Sequence, residues 1–192
     1  MRAPFYLRCL CAVCVSALAA VTVTGAALAQ ELIPPASLEE RTAHRFETIW
    51  HEGKTELYLP LRTYHLRSAY TREKIDSFNE LPLGLGLGKG IYDQDGDWHG
   101  LYVMGIQDSH SKPEYFAGYA YKTFWPLAGE LKFGLGFTAF LTTRADIAHY
   151  VPVPGVLPLL SLEYQKISLD SVYVPGGKGN GNILFFWSKL RF

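Results

Sequence analysis

The segment 182–192, NILFFWSKLRF, constrains the fold more than any other stretch of the chain. Leu184, Phe186, Ser188, Leu190 and Phe192 share one parity of a two-residue period, and the chain ends on the aromatic of that stripe. A strand whose alternation runs to a terminal phenylalanine reads as the closing strand of an outer-membrane barrel. Closure satisfies every backbone donor, which an open sheet in lipid could not do.

Seven further strand-like segments precede it, roughly 56–70, 82–93, 98–108, 115–125, 130–144, 156–166 and 167–175. They are separated by turn chemistry at 93–97, 126–129, 146–155 and 175–181, with a tight turn expected near Gln165 to Ser168. Several reach the roughly 9–11 residues that a tilted membrane strand needs. The 12 Tyr, 11 Phe, 4 Trp and 18 Gly suit lipid-facing girdles and close strand packing. The fold expected is all-β: an eight-stranded antiparallel transmembrane β-barrel, 56–192, preceded by a segment 30–55 carrying a short amphipathic α-helix. Within that segment Ser37 and Glu40 form a capping box over 37–50, and Leu38, Phe46, Ile49 and Trp50 gather on one side.

Residues 1–29 read as a secretory signal peptide: Arg2 and Arg8, an apolar run, then Ala27-Leu28-Ala29 before a cut at Gln30. All three cysteines, Cys9, Cys11 and Cys14, lie inside it, so a mature chain from Gln30 has neither disulfides nor thiol chemistry. Removing it takes two basic residues and no acidic one, for a net charge of −2. Nucleic-acid binding, which would show as a basic surplus, is not expected.

With both ends of the barrel on the periplasmic side, segments 71–81, 109–114, 145–155 and 176–181 become outer loops. Read at period two, Glu56–Tyr70 puts Leu57, Leu59, Leu61, Thr63, His65, Arg67 and Ala69 on one face, apolar first and polar after. With Asp108 inward, Trp98, Gly100, Tyr102, Met104 and Ile106 are inward too. Glycines 84, 86, 88 and 90, and Gly134 and Gly136, share a face opposite leucines and phenylalanines. An apolar, roomy interior with a polar outer cap is the expectation, as an acyl-chain pocket would require. Alternatively, the glycines serve only strand bending and the interior is packed. Arg62 falls on the opposite parity, toward lipid, where either the N-terminal helix meets it or the strand register slips.

The polar residues at the outer end are His65, Arg67, Asp108, Ser109, Ser111 and Tyr70. A histidine beside an Asp-Ser pair can supply a base, its orienter and a hydroxyl, the logic of acyl transfer. An isolated strand histidine with a structural role is the competing reading.

From about residue 37 to Phe192 the chain resembles the Gram-negative outer-membrane lipid A palmitoyltransferase family, PagP. The resemblance rests on Leu57-Tyr58-Leu59-Pro60 through His65 to Tyr70, REKIDSFNELP (72–82), DWHGLY (97–102), Gln107-Asp108-Ser109 and FAGY (116–119). GLGFTA (134–139), PVPGVLPL (152–159), Val174-Pro175-Gly176 and Asn180–Asn182 extend it. It implies a monomeric acyltransferase that moves palmitoyl from the sn-1 position of a glycerophospholipid to a hydroxyl on an acyl chain of lipid A. The site would face the extracellular side of the outer membrane, among outer-membrane lipids, with no metal, nucleotide or other cofactor. His65 is then the general base, Asp108 its orienting carboxylate and Ser109 a hydroxyl that positions or polarises the ester, with direct attack by the acceptor hydroxyl and a covalent acyl-Ser109 intermediate both open. Arg67, Met104, Gly118 and Ala120 are substrate-binding. Ala120 matches a glycine of the best-known members, and its methyl would shorten the slot by about one methylene. Pro60, Pro82, Pro158 and Pro175 match places where pairing is interrupted for lateral lipid access, between strands one and two and between six and seven. A non-enzymatic barrel (adhesin or envelope-protection protein) and a lipid A deacylase are the alternatives.

Overall fold

The computed structural model describes residues 37–146 and 148–192; the expected signal peptide and its cysteines lie outside them. Helix α1 spans Leu38–Glu52. Its capping box is formed, with Glu40 N–H donating to Ser37 Oγ (3.1 Å) and Ser37 N–H to Glu40 Oε2 (2.7 Å). From Ala43 onward, α1 packs on the outer barrel wall: Ile49 is fully buried and the Phe46 ring lies 5.6 Å from that of Tyr119.

Eight strands follow: β1 Lys54–His65, β2 Gly84–Tyr92, β3 Trp98–Gln107, β4 Pro113–Ala128, β5 Leu131–Arg144, β6 Val153–Tyr164, β7 Ile167–Val174 and β8 Ile183–Arg191. They close in sequence order into an antiparallel barrel, with β1 paired to β8. No helix among the described residues is long and apolar enough to cross a membrane; the strands carry the apolar belt. Leu83, Leu85, Leu87, Val103, Leu135, Phe137, Leu141, Leu160 and Leu162 all point outward and are exposed. Two strand ends differ from expectation. β1 stops at His65 rather than Tyr70, because the chain turns into a loop holding a short helix α2, Arg72–Asp76, capped by Thr71. β4 runs through Pro126 by means of a bulge between Pro126 and Ala128, so the turn there falls at Gly129 (φ +56°) and Glu130.

The face assignment of β1 needs correction. On β8, Trp187 faces Pro60 and Phe186 faces Arg62, so Leu61 is an extra residue, a β-bulge. The period therefore slips by one. Below the bulge Glu56 and Tyr58 are buried and Leu59 is exposed; above it Thr63 and His65 are buried. The leucines of β1 are membrane-facing, not the wall of an inner slot.

The expected apolar interior holds only in the half nearer the loops. There Tyr58, Met104, Ile106, Leu159, Val172, Phe185 and Trp187 form one buried cluster. The half nearer the short turns is filled by a buried ionic network. Lys189 bonds Glu56 (2.8 Å), Lys122 bonds Asp170 (2.9 Å), and Trp98 donates from its indole to Glu56 (3.0 Å). Both lysine ammonium groups lie over the Trp98 ring, at 3.7 and 4.6 Å from its centroid. The glycine face of β2 makes way for these groups: a Cβ on Gly90 would come within 2.4 Å of Trp98 Nε1, and one on Gly88 within 2.9 Å of the Tyr58 ring. Those glycines thus admit packed aromatics rather than leave space.

Pairing stops part-way in two places. β1 and β2 pair from Lys54↔Gly90 to Tyr58↔Gly86, and β6 and β7 from Tyr164↔Ile167 to Leu159↔Val172. Pro60 and Pro158 lie just beyond the last pairs, Pro82 just before β2, and Pro175 just after β7. A proline offers no N–H to a ladder, which is why the wall opens there.

Candidate active site

At the loop end of the barrel a cavity of about 390 Å³ descends from Asp108, Ser109, Glu114 and Arg144 to Tyr58, Tyr102 and Trp187. Met104, Ile106, Phe116, Phe140, Leu157 and Phe185 supply apolar walls between these ends. Pro154 and Val156 also line it, although β6 directs them away from the interior; the cavity reaches the open β6–β7 gap.

His65 ends β1 at the rim and is 1% exposed. The Phe78 ring stacks on it at 4.1 Å and Tyr70 meets it edge-on at 5.4 Å. Tyr70 is itself held by a hydrogen bond from its hydroxyl to the carbonyl of Gly181. Nε2 of His65 lies 3.1 Å from Ser109 Oγ, and Nδ1 lies 3.2 Å from Glu80 Oε1. A carboxylate at Nδ1 fixes the tautomer: Nδ1–H donates to Glu80, leaving Nε2 to accept from the Ser109 hydroxyl.

The carboxylate at His65 is therefore Glu80, not Asp108 as the sequence suggested. Asp108 Oδ1 accepts from the backbone N–H groups of His110 and Lys112 (2.8 Å each), and Oδ2 lies 3.7 Å from Arg144. Asp108 shapes the turn that carries Ser109 (Ser111 sits at φ +59°), and among the described residues it makes no hydrogen bond to His65.

Glu80 arrives from the long β1–β2 loop. Its carbonyl accepts from Thr63 N–H (3.0 Å) and its side chain from His65 N–H (3.2 Å), while neighbouring Asn79 donates from its backbone to Ser109 O (2.8 Å). Arg67 grips the carboxylate with two bonds (2.7 and 2.8 Å), and Arg62 adds a third (3.1 Å). Arg62 thus meets Glu80 rather than the helix. Burial pushes the Glu80 pKa upward, but the hydrogen bonds from Arg67, His65 and Arg62 outweigh it and hold the carboxyl down to about 2. Glu80 is ionised throughout the working range of the imidazole.

The remaining sequence-predicted residues divide. Met104 lines the cavity, and Arg67 stands outside it on Glu80. Ala120 is buried in the apolar cluster but does not line the cavity; it faces Gly100 on β3 and Thr138 on β5. Gly118 sits where a Cβ would meet the Tyr102 hydroxyl at 2.9 Å and Phe140 Cβ at 2.8 Å. Glu80 and Phe78 carry no sequence signal at strand spacing, whereas Glu114 and Arg144 fall on the inward parity of Gly118 and Gly134 with nothing else in the sequence to mark them. Glu80 and Phe78 fall within the REKIDSFNELP segment, the only pointer to them.

A barrel with this rim is matched by one protein family over residues 45–189, described as antimicrobial peptide resistance and lipid A acylation protein PagP. The chain belongs to the PagP family. Among relatives named lipid A acyltransferase PagP, that of Bordetella pertussis strain Tohama I is 49% identical over 148 residues, 77% of this chain and 81% of its own length. That of Laribacter hongkongensis is 48% identical over 152 residues, covering 79% and 73% respectively. That of Musicola paradisiaca is 45% identical over 156 residues, covering 79% and 81%. As a PagP family member the chain is an outer-membrane barrel, in keeping with its closed sheet and apolar outer belt.

Proposed function

We propose that this chain is a lipid A acyltransferase that takes palmitoyl from the sn-1 ester of a glycerophospholipid and places it on a hydroxyl of lipid A. The observation that carries the reading is the His65–Ser109 hydrogen bond, backed by Glu80, at the mouth of a largely apolar cavity that reaches a gap in the barrel wall. The relatives' names supply lipid A and acyl transfer. A hydrocarbon chain in the cavity would gain about 0.8 kcal/mol per buried methylene, which favours a long saturated donor.

In this reading His65 Nε2 removes the proton from an attacking hydroxyl as its oxygen adds to the donor's ester carbonyl. Collapse of the tetrahedral adduct breaks the bond to the sn-1 oxygen, and the imidazolium returns its proton to that oxygen, releasing a lysophospholipid. The attacker is the lipid A hydroxyl, which takes the place of the Ser109 hydroxyl at Nε2, while Ser109 turns to donate to the ester oxygen. Ionised Glu80 steadies the imidazolium that forms between the two steps. Arg67 acts through Glu80, and Met104 and the Gly118 neighbourhood shape the acyl slot. Ala120 bears on its depth indirectly, through the groups packed above it. The loops face the extracellular side, the two proline-flanked gaps admit lipids sideways, and the chain works as a monomer.

Mass spectrometry of lipid A from cells with and without the protein tests the reading. A gain of one palmitate, abolished by His65→Ala, is the expected result. No change would favour a non-enzymatic barrel and a loss of one acyl chain a deacylase; either would overturn it.

A further inference from the structure

The bulge that turns His65 inward also leaves Arg62 on the membrane-facing side of β1. It stands beside the stretch where β1 and β2 no longer pair, with its side chain 52% exposed. A cation on the outer face of a barrel is unfavourable in hydrocarbon and is tolerated toward the interface, where anions can reach it. Arg62 and Arg67 share the single carboxylate of Glu80, so the group keeps an excess positive charge, with Asp76 only a distant influence on Arg67. The two guanidiniums are not equivalent. Arg67 uses both outer nitrogens on Glu80 and lies over the Tyr64 ring at 4.8 Å. Arg62 makes one hydrogen bond through Nη2, and among the described residues its Nε and Nη1 donate to no protein acceptor. Those remaining donors, one on either side of Nη2, are free to donate to phosphate oxygens.

We propose that Arg62, held in place by the Glu80–Arg67 pair, binds the phosphate of a lipid substrate at the β1–β2 gap. The inference rests on the acyl-transfer reading and assigns one of its substrates a headgroup contact. Arg62 lies three residues before His65 on β1, roughly 10 Å along the strand, so a phosphate docked there leaves room for the reacting ester or hydroxyl to reach Nε2. The shared chemistry is a phosphate oxyanion with two sources: the phosphodiester of a glycerophospholipid or the phosphomonoester of lipid A.

Steady-state transfer by the purified chain in mixed micelles tests this, with Arg62→Gln and Arg62→Lys beside wild type. One arm varies a phosphatidylethanolamine donor against a neutral, phosphate-free diacylglycerol glycolipid. The other varies lipid A against its dephosphorylated form. In Arg62→Gln the KM for one phosphate-bearing substrate should rise about fivefold, roughly 1 kcal/mol, and carry the loss rather than kcat. Arg62→Lys should recover part of it, and the phosphate-free counterpart should show no such rise. The arm that responds identifies the source. Unchanged KM in both arms, or an equal rise with the phosphate-free counterpart, overturns the site, since a merely structural Arg62 would not distinguish the two. Transfer by wild type is the control: its absence would remove the acyl-transfer reading, and this inference with it.

Discussion

Glu80 Oε1 lies 3.2 Å from His65 Nδ1, on the side of the imidazole opposite Ser109. Replacing Glu80 by Gln should lower kcat by about 10²-fold or more, because an amide can no longer favour the imidazolium. The His65→Ala/Glu80→Gln double variant should lose little beyond His65→Ala alone, since residues acting as a unit are strongly non-additive. Multiplicative losses in single-turnover acyl transfer would show that Glu80 works elsewhere.

The same carboxylate sets a pH dependence of stability. Its folded pKa of about 2 lies below the ordinary 4.5, so its stabilising contribution is complete above about pH 5 and disappears as pH falls toward 2. Denaturant midpoints of wild type and Glu80→Gln in detergent should therefore differ at pH 7 and converge between pH 4 and 2. A constant gap across that range would show that the ionised form is not what the loop holds.

Much of this was legible in the chain before any coordinates. The eight-strand barrel, the capping box, and the inward parity of Trp98 through Asp108 follow from local periodicity, which folding preserves. Three features were not. The bulge at Leu61 is a one-residue insertion that leaves the β1 sequence looking like an unbroken strand. Glu80 reaches His65 from fifteen residues away through a loop, so no period links them, whereas the adjacent Asp108-Ser109 offered a misleading local pair. The Glu56, Lys122, Asp170 and Lys189 network arises from four strands, and no period along any one strand links a charge to its partner on another.

Asp108 should act through Ser109. Asp108→Ala removes the acceptor of two backbone N–H groups and should lower kcat with Ser109 displaced. Asp108→Asn keeps an Oδ1 acceptor and should recover part of the loss. Equal inactivity of the two variants, with the 108–112 turn unchanged by NMR, would instead assign the Asp108 charge a direct part in the reaction.

The buried ionic network predicts a sharp asymmetry. Lys189→Met strands Glu56 without its cation and should destabilise the barrel by about 3–5 kcal/mol. Adding Glu56→Gln should return much of that loss, because the uncompensated charge rather than the missing bond sets the penalty. Denaturant unfolding in detergent micelles reads both variants. Additive losses in the double variant would mean that the pair is held for packing against Trp98 and not for charge balance.

Deleting Leu61 is the most direct test of how β1 builds the site. Without the extra residue the pairs Pro60↔Trp187, Arg62↔Phe186 and His65↔Ile183 can stand in one regular ladder, and Tyr58 and Thr63, then four steps apart, keep the same inward face. The deletion variant should therefore fold to a barrel, detectable by its heat-modifiable mobility, and keep acyl transfer within about tenfold of wild type. A loss as deep as that of His65→Ala would mean that the local geometry of the bulge, and not only the pairing with β8 on either side of it, sets His65 at the rim.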